Sequence, residues 1–162
     1  MKFSPSHRDL VIRSIYGALV VGAFVMMGIG TGVVRTVLLS VSLVSLAAGL
    51  YLFIRYELTT YTYIVMENGK RLDFYVDKAV GKRGAYVCYF PLSDAKEFCK
   101  YTKGVKKEIS QKHGKTFFYK YYHNAFSAER YVMVFQNDGY CDAVIMELDR
   151  ASVEYLSGAM KI

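Results

Sequence analysis

The chain opens on two long apolar runs. Residues 14–54 carry a single charge, Arg35, near their middle. Arg13 and Arg35 enclose 21 uncharged residues, and Arg35 and Arg55 enclose 19. A helix needs about 20 mostly apolar residues to cross a hydrocarbon core roughly 30 Å thick. Each interval therefore predicts one spanning helix, over about 14–29 and 34–54. A single span leaves too much apolar chain, and a soluble buried hairpin leaves an odd surface for so small a protein. The reversal is placed in GIGTGVVR, 28–35, where Gly28, Gly30 and Gly32 lower helix propensity and accept positive φ. Arg35 then starts the second helix and snorkels to the surface. Small residues at helical spacing, Ser14, Ala18 and Gly22 on one helix and Ser45 and Gly49 on the other, predict packing of the hairpin on itself.

After Arg55 the period changes to two. Thr62 to Glu67 is rich in β-branched and aromatic residues and ends at Asn68-Gly69, a strong hairpin signal. Arg71 to Val80 answers it, with Leu72, Phe74 and Val76 alternating against Asp73, Tyr75 and Asp77. Gly81 to Gly84 turns the chain into a third strand, Ala85 to Pro91, with Tyr86, Cys88 and Phe90 on one face and Val87 and Tyr89 on the other. Residues 92–99 fit either a helical turn capped by Ser93 or a bulged strand. The Lys-rich piece that follows reads as a loop. Further strands are expected at Lys115 to His123, Arg130 to Gln136 and Tyr140 to Leu148, with an exposed turn at 124–129 and an Asp138-Gly139 hairpin. Asp149 caps a final helix whose Val153, Leu156 and Met160 share one face.

Two parts follow: a helical hairpin over 1–55 and a mainly-β domain over 56–162, the size of one small domain. Lys2, Arg8 and Arg13 precede the first span, and Arg55, Lys70 and Arg71 follow the second, against Arg35 alone at the tip. Positive-inside counting puts both termini in the cytoplasm of a multi-pass cell-membrane protein. Tyr51, Tyr56, Tyr61 and Tyr63 fall near the inner face as interface anchors or first-strand core. Cys88, Cys99 and Cys141 are odd in number and widely spaced, which suits free thiols in a reducing compartment. Neither span holds an acid, His, Asn or Gln, which argues against a transporter or channel.

Six or seven antiparallel strands closed by one C-terminal helix are similar to a pleckstrin-homology-like barrel. The segments YTYIVMENGKRLDFYVDKAVGKR (61–83), AERYVMVFQNDG (128–139) and AVIMELDRASVEYL (143–156), behind a two-helix hairpin, resemble a family of small clostridial membrane proteins of unknown function. The Lys-rich insert departs from that family's commoner pattern. The resemblance implies topology and fold, and brings no catalytic residues, cofactor or metal.

The net charge of +7 is concentrated: residues 96–120 hold eight lysines against Glu97 and Glu108. A basic stretch near an inner leaflet gains about 1 kcal/mol per Lys beside anionic lipid. Lys100, Lys103, Lys106, Lys107, Lys112 and Lys115 are the candidate lipid- or partner-binding residues. The run FFYKYYH, 117–123, is expected to turn Phe117, Tyr119 and Tyr121 to the core and Phe118, Lys120 and Tyr122 outward. Nucleic acid is not expected, since no recognised motif accompanies the charge. Cys99, among Lys96, Lys100 and Lys103, is a candidate low-pKa thiol without a base or oxyanion donor. His113 and His123 lack cysteines at ligand spacing. Asp73 with Asp77, and Glu147 with Asp149, read as same-face polar positions on strands. The expectation is a non-enzymatic, membrane-anchored scaffold that presents its β-rich domain to a protein partner, with an anionic-lipid-responsive module as the alternative.

Overall fold

The computed structural model describes residues 2–3, 10–124 and 129–160. Arg8, Lys161 and the middle of the turn expected over 124–129 lie outside the described residues. The chain divides into two compact units, Arg8–Thr59, and Met1–His7 with Thr60–Ile162.

The first unit is a helical hairpin of α1 (Leu10–Met27) and α2 (Gly32–Phe53). Both helices are long and apolar enough to cross a membrane. The reversal is tighter than the sequence predicts: α2 already begins at Gly32, and Gly30 turns the chain with φ 94°. Ile12 and Ala23 of α1 and Ser42 and Gly49 of α2 are buried. A Cβ on Gly49 would lie 3.0 Å from Val20 Cγ2, so the helices approach closely there because that side chain is missing. The small-residue faces are only partly used this way, for Ser14 and Ala18 are exposed. Ser14, Ser40 and Ser42 donate to the carbonyls of Leu10, Thr36 and Leu38, which satisfies hydroxyls on an apolar surface.

At its open end α2 continues into a π-helical turn, Ile54–Leu58. This turn carries Glu57, the single acid between Asp9 and Glu67. Arg13 clasps it with two donors, Nε to Oε1 and Nη2 to Oε2, the latter at 3.0 Å. Tyr16 donates its phenol to Oε1 at 3.0 Å and sets its ring edge against Phe53. The fork of the guanidinium fits both carboxylate oxygens, so this ion pair ties the start of α1 to the end of α2.

The second unit holds eight strands among its described residues: β1 (Lys2–Phe3), β2 (Thr59–Asn68), β3 (Arg71–Val80), β4 (Arg83–Pro91), β5 (Ala95–Lys100), β6 (Thr116–Tyr121), β7 (Arg130–Asn137) and β8 (Tyr140–Glu147). The helices α3 (Val105–His113) and α4 (Arg150–Met160) complete it. The strands form two four-stranded sheets, β1-β2-β3-β4 and β5-β7-β8-β6. The two sheets do not make the closed, all-antiparallel barrel that the strand count suggested. The physical reason is α3, which occupies the segment expected to be a loop. It carries the chain from β5, at one edge of the second sheet, to β6 at the opposite edge, where β6 pairs parallel with β8. Parallel strands need such a crossover, and a tight turn cannot supply it. Residues 92–99 adopt both expected forms in succession. A 3-10 turn at Leu92–Asp94 leads into β5, whose register shifts between Ala95 and Glu97.

Two apolar clusters result. The main core lies between the sheets and under α4. It gathers Tyr61, Tyr63 and Val65 of β2, Phe74 and Val76 of β3, Met133 and Phe135 of β7, Val144 and Met146 of β8, and Leu156 of α4. The second fills the other face of the second sheet, where Val105 and Ile109 of α3 cover Val132, Val134, Ala143 and Ile145. Tyr61 and Tyr63 are thus core residues of β2, the first strand after the hairpin.

Tyr63 also joins the sheets by its phenol, which donates to the Tyr121 carbonyl and accepts from the Glu147 N–H at 3.1 Å. Removing that oxygen leaves buried main-chain groups without this partner. Tyr63→Phe is expected to lower stability by about 1–3 kcal/mol with little change in packing volume. Chemical denaturation of the detergent-solubilised chain measures this; an unchanged midpoint would contradict the bridging role.

Candidate functional site

The basic segment 96–120 is a strand, a helix and a strand, and it distributes its lysines in different directions. Lys100 on β5 meets Glu129 at 3.2 Å. Lys112, at the end of α3, meets Glu97 at 2.8 Å, and His113 Nε2 lies 2.9 Å from the same oxygen. These contacts hold the Glu97 carboxyl below its usual range, through the hydrogen bonds of Lys112 first and of His113 second. Lys106 sets its ammonium 5.1 Å from the Phe118 ring centre, and Lys115 sits 5.3 Å from that of Phe117. Lys103 and Lys107 are exposed. Phe117 and Phe118 alternate along β6, so Lys115 and Lys106 go to opposite faces of the second sheet. The six residues therefore do not form one patch.

The aromatic run divides the same way, with two corrections. Tyr121 joins the main core, but Phe117 and Tyr119 remain 43% and 39% exposed. Phe118 and Tyr122, expected on an outer surface, pack against the second cluster because α3 covers that face.

The candidate chemical groups take structural places. Asp73 is buried, accepts from Asn68 Nδ2 at 3.1 Å and lies 3.3 Å from Arg71 Nε. Glu147 holds the side-chain amide of Asn124 at 2.8 Å, and Asp149 accepts the Ser152 N–H at 2.8 Å as the cap of α4. Among the described residues no three His, Cys, Asp or Glu side chains gather as a metal site.

The thiol of Cys99 departs from its sequence context. Its pKa is raised, first by burial and then by the charges of Glu97 and Glu108. Its neighbour Lys100 is turned to Glu129. Burial pushes Cys88 up to about 12 and raises Cys141 as well. All three are free. Since the thiolate is the reactive form, Cys88 is expected to alkylate at least about 100-fold more slowly in the folded chain than in denaturant at pH 8. Peptide mass mapping after iodoacetamide treatment reads this; equal rates in both states would contradict the assigned burial.

The feature that the sequence pattern misplaced is β4. Its register against β3 shifts between Val76 and Asp77, so that Cys88 faces Val76 while Tyr86 faces Asp77. This bulge moves Tyr86 off the Cys88 and Phe90 face and onto that of Tyr89. Tyr86, 63% exposed, stands 5.6 Å from Tyr75, and Tyr89 stands 5.0 Å from it. Arg71 Nη2 donates to the Tyr89 hydroxyl at 3.0 Å. The Tyr75 hydroxyl is raised by burial and then by the Asp73 charge. β4 is the outer strand of its sheet, and residues 84–90 carry no charge. Outer strands are usually blunted by charge, brevity or a bulge. The other outer strands follow that rule: β1 has two residues, β5 carries Lys96 and Lys100, and β6 carries Lys120. β4 has its bulge, but seven consecutive uncharged residues leave it the most open of the four.

No family model, curated protein or solved structure matches this chain.

Proposed function

We propose that this protein is a non-enzymatic binding protein anchored in the cell membrane by α1 and α2. Both termini lie on the cytoplasmic side, and the sheet domain takes up an extended segment of a protein partner along β4. The observation that carries this reading is the uncharged outer strand beside Tyr75, Tyr86 and Tyr89. An added strand gains main-chain hydrogen bonds from such an edge. The tyrosines supply large contact area for little side-chain entropy.

Support for the anchor comes from side chains such as Leu10 and Val33, 75% and 81% exposed, a pattern that suits lipid and not water. The excess of basic residues at the open end of the hairpin supports the orientation. A pleckstrin-homology-like origin is kept for one device, the C-terminal helix laid over the apolar interior, and kinship with small clostridial membrane proteins belongs to the same proposal. The whole basic segment as a lipid-responsive module has weaker support. Four of its six candidate lysines already contact glutamates or aromatic rings of the same domain.

The test is a photo-reactive phenylalanine analogue placed at Tyr86 in native membranes. A discrete protein adduct is expected there, and none from the same analogue at Gln111 on α3. Failure at Tyr86, or equal adducts at both positions, would remove the proposal.

A further inference from the structure

The uncharged edge of β4 has an opposite charge turned toward it at each end. Arg71, Tyr75 and Asp77 share the outer face of β3, since Leu72, Phe74 and Val76 between them pack in the main core. At one end Arg71 leans over β4 and donates from Nη2 to the Tyr89 hydroxyl at 3.0 Å. Its Nε faces the buried Asp73 at 3.3 Å, and the side chain remains 54% exposed. At the other end Asp77 leans over Gly84. Its two carboxylate oxygens would lie 3.2 and 3.3 Å from a Cβ placed on that glycine, so the missing side chain is what lets the acid reach the edge. Asp77 has no hydrogen-bond or ion-pair partner among the described residues. Lys78 and Arg83, at the same end, alternate onto the opposite face. Between the two charges stand the rings of Tyr75, Tyr86 and Tyr89.

A strip with a cation at one end, an acid at the other and a neutral aromatic middle matches a copy of itself turned by 180°. We infer that β4 pairs antiparallel with β4 of a second copy of this chain, Tyr89 of each standing opposite Gly84 of the other. Both residues lie on the outer face, as directly opposed residues of an antiparallel pair must. The two-fold axis passes between Tyr86 and Val87. Each Tyr89 ring then covers a bare glycine. Each Arg71 meets Asp77 of the second copy across the new pairing, where adjacent strands lie about 4.8 Å apart. The chain carries a net charge of +7, so two copies approach most readily where no like charges face each other, and this edge is such a place. Anchoring in one membrane raises their mutual concentration. The inference rests on the reading that β4 takes up an extended segment, and it names the source of that segment.

Two full-length copies with different tags are made in one membrane, solubilised in a maltoside, captured by one tag and read for the other. Co-capture is expected for the native pair. Asp77→Arg on both copies is expected to lower it about tenfold or more, and so is Arg71→Glu on both. Asp77→Arg on one copy with Arg71→Glu on the other is expected to restore it, because every contact across the axis again joins opposite charges. A photo-reactive phenylalanine analogue at Tyr86, which depends on no charge variant, is expected to give an adduct of twice the chain's mass. No co-capture of the native pair, charge variants that leave it unchanged, or a mixed pair no better than the matched ones would overturn the inference. Adducts from Tyr86 to a different protein alone would overturn it while leaving the β4 reading in place, and no adduct at all would remove both.

Discussion

Phe135→Ala is expected to destabilise the sheet domain by about 3–5 kcal/mol, a large fraction of what a domain of this size has. Phe135 is 1% exposed and stands where the two sheets meet. Its ring stacks on Phe90 of β4 at 4.3 Å and 11°, and lies 6.1 Å from Phe74 of β3 at 24°. Truncation removes the transfer energy of a buried ring and leaves a cavity between two sheets that relax into it only in part. It also removes the aromatic contacts, which contribute about 0.5–1.5 kcal/mol per pair beyond burial. Phe135→Leu keeps most of the volume and is expected to cost less than half as much. Denaturant unfolding followed by the near-ultraviolet tyrosine signal measures both, since the chain has 15 tyrosines and no tryptophan. If the alanine variant lost no more than an exposed substitution, the sheets would not be stacked through this ring.

The sandwich was half visible in the sequence. Asn68-Gly69 and Asp138-Gly139 marked β2–β3 and β7–β8 directly, because a two-residue turn has few chemical solutions. The hairpin was legible from charge spacing alone. α3 was missed because Val105 and Ile109 are its only buried apolar residues, and one such pair amid four charged residues gives a weak helical period. A better signal lay in the strands it covers. Along β7 and β8, Val132 to Phe135 and Cys141 to Met146 are buried without interruption, where a half-exposed strand would alternate. Strands apolar on both faces need a layer on each side, and the Lys-rich segment was the chain left to provide one. The parallel pairing of β6 follows from the same crossover. Tyr86 was misassigned because strict alternation has no way to register a bulge. The clasp of Arg13 on Glu57 was hidden by distance along the chain. The isolation of Glu57 among apolar residues was the available clue, since a lone acid beside a membrane-length helix needs a partner.

Leu156→Asp is expected to prevent the sheet domain from reaching its packed state. α4 is short and terminal, and an isolated helix of 11 residues is marginal in water. It is held by Leu156, 0% exposed within the main core, with Val153, Ala159 and Met160 packed beside it. Leu156→Ala is expected to cost about 2–5 kcal/mol as a simple truncation. Aspartate adds the burial of a charge in an apolar core, which lies in the range where single changes unfold domains. The Asp149 carboxyl, which accepts from Ser152, is held below its usual range, so it stabilises this helix end above the ordinary carboxylate pKa and stops doing so as pH falls through its depressed value. For Leu156→Asp, far-ultraviolet helicity of the hairpin unit is expected to persist in detergent while the near-ultraviolet tyrosine signal collapses. Retention of that signal at native intensity would mean that α4 rests on the sheets without closing their core.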